Sequence, residues 1–285
     1  MKISTQTLFL SRTLGEKKAI EMLCKIGYDA LDYSMFGSRE NKSIIELHDY
    51  EKKVLELKKI ANNYGVFFNQ THAPFPSYKV DDEQYNKKIL PLLIRAIEIS
   101  GMLGAKQVII HPIALKKNQK QFNIDFFNSL QKYAKEYNVK IALENMFGRD
   151  ATKSKIIPNV CSFADEFVNY MDELDPRYFT ACLDIGHAGL VGESASHMIY
   201  ELGHDKLTSL HVHDNNNIND LHTLPFTQAL NWKSIMKALK DIKYEGELTL
   251  EADNFFLGFP VEMAEDVSKF MLKSAKQLVK MYENF

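Results

Sequence analysis

The sequence predicts an α/β chain of the (β/α)8 TIM-barrel class, one domain over residues 1–285, on three observations. Short apolar runs alternate with longer amphipathic segments, and the runs number eight. Strand–helix alternation demands a parallel sheet, because parallel neighbours need a crossover between them. Eight such units in about 250 residues is the barrel count. A doubly wound open sheet would ordinarily carry a Gly-rich turn after its first strand, and "TLFLSRTLG" holds no G-x-G-x-x-G.

The first run, "KISTQTL" (2–8), precedes the helical pattern "EKKAIEMLCKIG". "DALDYS" (29–34) leads into "DYEKKVLELKKIANNYG", and "VFFNQTHAP" (66–74) into "KILPLLIRAIEISGMLGA". "QVIIHP" (107–112) is followed by "FFNSLQKYAKEYNV". The remaining runs are "KIALEN" (140–145), "FTACLDIGH" (179–187), "LTSLHVHDN" (207–215) and "GELTLEA" (246–252). Several helical segments end in Gly or Asn before the next run, as a left-handed C-cap requires. No linker, low-complexity tract or composition break divides the chain.

Hydrophobic content of 45% with 25% charged residues is ordinary soluble material that can bury a large core. Thirty-five basic against 37 acidic residues leave a net charge of −2. That balance offers no electrostatic footprint for nucleic acid or an anionic membrane, so neither is expected as a partner. The basic stretches "SRENKS" (38–43) and "RDATKSK" (149–155) read as solvated loops. Cys24, Cys161 and Cys182 are odd in number and far apart, which suits reduced thiols. With no apolar run near the roughly 20 residues of a membrane span, the expectation is a soluble cytoplasmic protein. Homo-oligomerisation stays open.

The function-bearing signal lies where the runs end. "NQTHAP" ends on His72, "VIIHP" on His111, "IALEN" on Glu144 and "CLDIGH" on Asp184 and His187. "LHVHD" ends on His211 and His213, and "LTLEA" on Glu251. In a barrel these ends converge on one face, where the active site is built. Taken singly, each has an ordinary structural reading: a histidine at a strand end is more often hydrogen-bonded than ligating, and Asp184 can open a turn before Gly186. Six consecutive strand ends carrying acids or imidazoles are not explained that way. Burying such groups together is expensive unless a cation compensates them. Carboxylate and imidazole without thiolate suit a divalent ion, Mn2+ first, with Zn2+, Co2+ and Mg2+ as alternatives. His48, His197 and His204 read as structural, and Cys182 as packing.

In this order "THAP", "IIHP", "LEN", "LDIGH", "LHVHDN", "DLHTLP", "NW" and "LEA" resemble the strand-end motifs of the xylose isomerase-like TIM barrels. That superfamily holds sugar isomerases, ketose 3-epimerases and endonuclease IV. The resemblance implies one divalent metal on Glu144, Asp184, His211 and Glu251, with Glu144 and Glu251 also acting as acid and base. It implies that His187 contacts a substrate oxygen. His72, His111, His213, Asp220 and His222 are expected to complete the substrate-binding set. In endonuclease IV residues matching His72, His111, Asp220 and His222 help to hold further zinc ions. Two departures stand out. "PFTQALNW" replaces a Gly-x-Gly common before the Trp, which argues against phosphate handling at that turn. "NNNIND" stands where ketose 3-epimerases place an arginine.

Enediolate chemistry fits this set. A divalent ion chelated by a carbonyl and its neighbouring hydroxyl stabilises the anion left by proton removal, and two carboxylates manage the proton. The expected activity is therefore a metal-dependent sugar or sugar-phosphate isomerase or epimerase acting on a small-molecule sugar. Two other classes remain: an endonuclease IV-like multi-zinc phosphodiesterase on abasic DNA, and a metal-dependent lyase or non-catalytic sugar binder on the same barrel.

Overall fold

A βα repeat organises the chain from its first strand. The structure, a computed structural model, describes residues 1–36, 43–150, 152 and 155–285. The basic stretch 38–43 lies outside the described residues except for Ser43, and so do Ala151, Lys153 and Ser154 of 149–155. Two compact units are distinguished: residues 6–143 with 174–179, and residues 1–5 with 144–173 and 180–285.

The first unit carries β2 (Ala30–Ser34), β3 (Phe67–His72), β4 (Gln107–Ile109) and most of β5 (Lys140–Glu144), interleaved with α1 (Leu8–Leu14), α2 (Glu16–Ile26), α3 (Tyr50–Asn63), α4 (Glu83–Leu103) and α5 (Gln119–Tyr137). The four strands pair in parallel, with Leu31 beside Phe68, Thr71 beside Val108, and Val108 beside Ile141. Helix α4 shows how the sequence sets an element. The Asp82 side chain accepts the Tyr85 N–H at 2.9 Å and opens the helix. Ile89, Leu93, Ala96, Ile97, Ser100 and Leu103 then recur at helical spacing and are buried. Gly104, at φ 81°, closes it in the left-handed conformation that side chains resist. Between strands the interior is partly polar and internally bonded, as in the Gln70 amide donating to Asp32 at 3.1 Å.

The second unit carries β8 (Phe179–Asp184), β9 (Leu207–His211), β10 (Leu248–Leu250) and β1 (Ile3–Gln6), apart from their boundary residues Phe179 and Gln6. They are parallel neighbours in that order: Leu183 beside Leu210, Val212 bridged to Leu250, Thr5 beside Leu250. Helices α6 (Ala164–Glu173), α7 (Ile185–Leu190), α8 (Ala195–Lys206), α9 (Trp232–Asp241) and α10 (Ala264–Glu283) accompany them. In α9, Trp232, Ile235, Met236 and Leu239 form one buried stripe, and the Asn231 side chain caps the Ser234 N–H at 3.2 Å.

Eight parallel strands alternating with helices make the (β/α)8 barrel that the apolar runs predicted. Three local features differ from expectation. The strands are shorter than the runs, so β4 stops at Ile109, β8 at Asp184 and β9 at His211. A short helix, α1, follows β1 at once. An antiparallel hairpin of β6 (Phe147–Asp150) and β7 (Lys155–Pro158) rises after β5. Among the described residues no helix is long and apolar enough to cross a membrane, and the three cysteines are free and buried.

Candidate metal centre and active site

Parallel strands expose their last side chains at one end of each ladder, and four such residues meet here. Glu144 closes β5, Asp184 closes β8, His211 closes β9, and Glu251 follows β10 directly. All four are buried, Asp184 and His211 completely, and each offers a ligand atom within 4.8 Å of the others'. The His211 Nδ1–H lies 3.0 Å from Glu144 Oε1 and 3.2 Å from Glu251 Oε2, so one imidazole joins both glutamates. Asp184 caps α7, accepting the His187 N–H at 2.7 Å, and takes His213 Nε2 at 3.0 Å. Burial pushes the Asp184 carboxyl up, but the neighbouring His187 and His213 outweigh it and hold the group below the usual carboxylate range.

Three carboxylate oxygens and one imidazole nitrogen, converging from strand ends and buried, are a hard-to-borderline donor set that matches divalent ions. The cluster is consistent with binding such an ion, and the donor types exclude none of Mn2+, Mg2+, Co2+ or Zn2+.

Beside it stands a second group, His187, His213, Asp220 and His222, whose donor atoms also lie within 4.8 Å of one another. The His213 and His222 rings stack at 4.1 Å and 11°. His222 donates Nε2–H to Asp220 Oδ2 and Nδ1–H to the Glu251 carbonyl, both at 3.0 Å. Burial works against its charge, but the hydrogen bond to Asp220 and the nearby Glu251 prevail and push the imidazole up to about 10. With both nitrogens donating, His222 is an imidazolium. It is held at φ 41°, a strained backbone for a non-glycine residue. His187 donates Nδ1–H to the Asn145 carbonyl at 2.8 Å, leaving Nε2 3.8 Å from Asp184. Gly186 permits this arrangement: a Cβ there would sit 2.0 Å from His213 Cε1.

Of the residues expected at strand ends, three stand elsewhere. His187 lies in the first turn of α7, because Asp184 ends β8 by capping that helix. His111 and His213 each follow their strand by two residues. His72 does close β3, and its ring meets His111 at 4.6 Å, with Phe36 and Phe75 also packed on the pair. His197 and His204 are exposed, His204 bonding the Lys243 carbonyl at 3.0 Å. Cys182 is buried, and burial pushes its thiol up to about 11.

Sequence reading missed several supports. Asn145 fixes the end of β8: its amide donates to the Asp184 carbonyl at 2.9 Å and accepts the Asp184 N–H at 2.7 Å. It follows Glu144 directly, which was the available signal. The β6–β7 hairpin lays Phe147 edge-on against His187 at 4.9 Å. Neither "FGRD" nor "KIIP" alternates apolar and polar residues, so the strand period gave no signal for it. In the turn before Trp232 the Asp214 carboxylate accepts Gln228 N–H, Leu230 N–H and Trp232 Nε1–H, each at 3.1 Å.

Residues 20–273 match the family described as Xylose isomerase-like TIM barrel. The chain belongs to this family. It is 24% identical over 278 residues to the uncharacterized protein MJ1311 of Methanocaldococcus jannaschii, covering 89% of this chain and 84% of that one. It is 23% identical over 249 residues to the D-psicose 3-epimerase of Enterocloster bolteae, covering 82% of this chain and 76% of the epimerase. Among solved structures, a D-tagatose 3-epimerase-like protein superposes with a TM-score of 0.76 at 19% identity, covering 100% of this chain and 99% of the other.

Proposed function

We propose that the protein is a divalent-metal-dependent sugar epimerase or isomerase that moves a proton on carbon next to a carbonyl. One observation carries the reading: Glu144 and Glu251 face each other across His211 Nδ1, buried, with Asp184 completing a four-ligand set. Two carboxylates on separate strands are what removal and return of a carbon-bound proton require. A bound divalent ion, Mn2+ by preference for so oxygen-rich a set, would supply the positive charge that stabilises the enediolate. Glu144, Asp184, His211 and Glu251 would hold it.

The chain's own groups do the rest. One glutamate takes the proton and the other returns it, on the opposite face for epimerisation. His187, tethered through Nδ1, presents Nε2 to a substrate oxygen, while Phe147 covers that ring from solvent. His222, as an imidazolium fixed by Asp220, contributes a positive charge and orients substrate hydroxyls. Similarity to the D-psicose 3-epimerase supports a ketose as the substrate type.

The test is hydrogen exchange. Protein loaded with Mn2+ and incubated in D2O with a panel of ketoses should introduce deuterium next to the carbonyl of at least one. Glu144→Gln and Glu251→Gln should each slow that exchange by roughly 10²–10⁴-fold. Exchange that survives both substitutions rejects the assignment.

A second reading has one observation in its favour. The group of His187, His213, Asp220 and His222 could hold additional ions, as a multi-metal phosphodiesterase needs. Metal-dependent nicking of abasic duplex DNA, abolished by Glu144→Gln, would establish it.

A further inference from the structure

The β6–β7 hairpin carries a charge that the proposed reaction does not use. Phe147 pairs across the hairpin with Pro158, and Arg149 with Ile156. Directly opposed residues of an antiparallel pair share a face, as do alternate residues of a strand, so these four point one way. Phe147 identifies that way as the side of His187. Ile156 on the same face is half-buried, whereas Ile157 on the other is exposed. Arg149 therefore stands on the His187 side, about 7 Å further along the strand than Phe147.

The hairpin base is well anchored. Met146 N–H bonds the Val160 carbonyl at 3.0 Å, Ser162 Oγ–H the Met146 carbonyl at 2.6 Å, and the Asn159 amide the Phe147 carbonyl at 3.2 Å. The Arg149 guanidinium carbon lies 5.5 Å from the Phe147 ring centroid. Stacking of this kind holds the cation without neutralising it and leaves its in-plane N–H donors unused. Arg149 is exposed and takes part in no ion pair among the described residues. Its cross-strand neighbour is apolar, and the adjacent Asp150 accepts from Thr152 N–H at 2.8 Å and its hydroxyl at 2.6 Å. The turn before Trp232 is organised by the Asp214 carboxylate, which would repel an anion there.

We propose that Arg149 is a specificity-determining residue that receives an oxyanion, carboxylate or phosphate, on the substrate end remote from the reacting carbons. The substrate is then an acidic sugar rather than a neutral ketose. This rests on the epimerase reading above and narrows its substrate class. A guanidinium placed over an aromatic ring offers a planar fork to either anion, so the geometry is common to both.

The experiment is calorimetric titration of the Mn2+-loaded protein with D-fructose, D-fructose 6-phosphate and a hexulosonate bearing a terminal carboxylate. At least one anion should bind about tenfold more tightly than the neutral sugar, the size of effect expected of a charge-assisted bidentate contact. Arg149→Gln should remove that preference while leaving the neutral sugar's affinity unchanged, and Arg149→Lys should restore part of it. Whichever anion shows the dependence names the source. Equal binding of all three sugars, no binding of any, or an equal loss for all three in Arg149→Gln would overturn the proposal. Failure of the epimerase reading looks different: an Arg149-dependent preference in binding, but no deuterium incorporated into any of the three.

Discussion

Replacing Glu144 by Gln separates a metal site from a hydrogen-bonded polar core, because the two make opposite predictions for the metal-free protein. The ligand atoms of Glu144, Asp184 and Glu251 lie within 4.8 Å of one another. At an effective dielectric constant of about 20, Glu144 therefore feels at least about 3.5 kcal/mol of repulsion from each of the other two carboxylates. Attraction to neighbouring imidazoles opposes this. His187 Nδ1 is 3.8 Å from Glu144 Oε1, worth about 4.4 kcal/mol on the same scale when the imidazole is charged. Gln keeps an oxygen for the His211 Nδ1–H, so the balance is electrostatic. These three interactions alone leave the variant about 2–3 kcal/mol more stable than the parent without metal, a rise of about 3–5 °C in Tm for 285 residues. Burial lowers the His187 pKa, but Asp184 and Glu144 outweigh it and raise it overall. The attraction is thus present below the ordinary histidine pKa and is lost as pH rises through the raised one, so the variant's advantage should grow at alkaline pH. Metal reverses the order. An ion at a hundred times its Kd stabilises the parent by about 2.7 kcal/mol, and the variant, one charge short, should gain little. The assay is thermal unfolding of both proteins in EDTA and in excess MnCl2. A variant that melts below the parent in EDTA, together with a parent indifferent to metal, would refute the reasoning.

Gly186→Ala should disable the site without touching a ligand. The added methyl would stand 2.0 Å from His213 Cε1, so the imidazole must leave Asp184. Deuterium exchange should fall about 10-fold or more, while far-UV circular dichroism stays that of the parent. His222→Asn should mainly raise KM and leave one ion per chain by metal analysis, whereas loss of an ion from this variant would favour the multi-metal reading. Abasic duplex DNA should be neither nicked nor bound with a steep salt dependence, since a polyanion binder releases counterions for every phosphate it neutralises.

The sequence by itself determined the barrel and the identity of its polar strand ends. Both signals are local and periodic. Strand–helix alternation specifies parallel pairing, and an acid such as Glu144 after "IAL" is legible because the side-chain period of a strand is two. Ligand types could be read for the same reason, residue by residue, in Glu144, Asp184, His211 and Glu251. Tertiary structure alone decided what each of these touches. That His211 Nδ1 reaches both Glu144 and Glu251 depends on where segments remote in sequence place these side chains, which no residue spacing encodes. That His222 is an imidazolium depends on Asp220 and the Glu251 carbonyl arriving from two directions. His187 looked like a strand end because "CLDIGH" is continuous, yet Asp184 turned the chain into α7 three residues earlier. Arg149 reads as a solvated loop residue until the hairpin pairs it with Ile156 and Phe147 turns that face toward His187. Local chemistry names the groups, but the directions in which they point come from packing between segments remote in sequence.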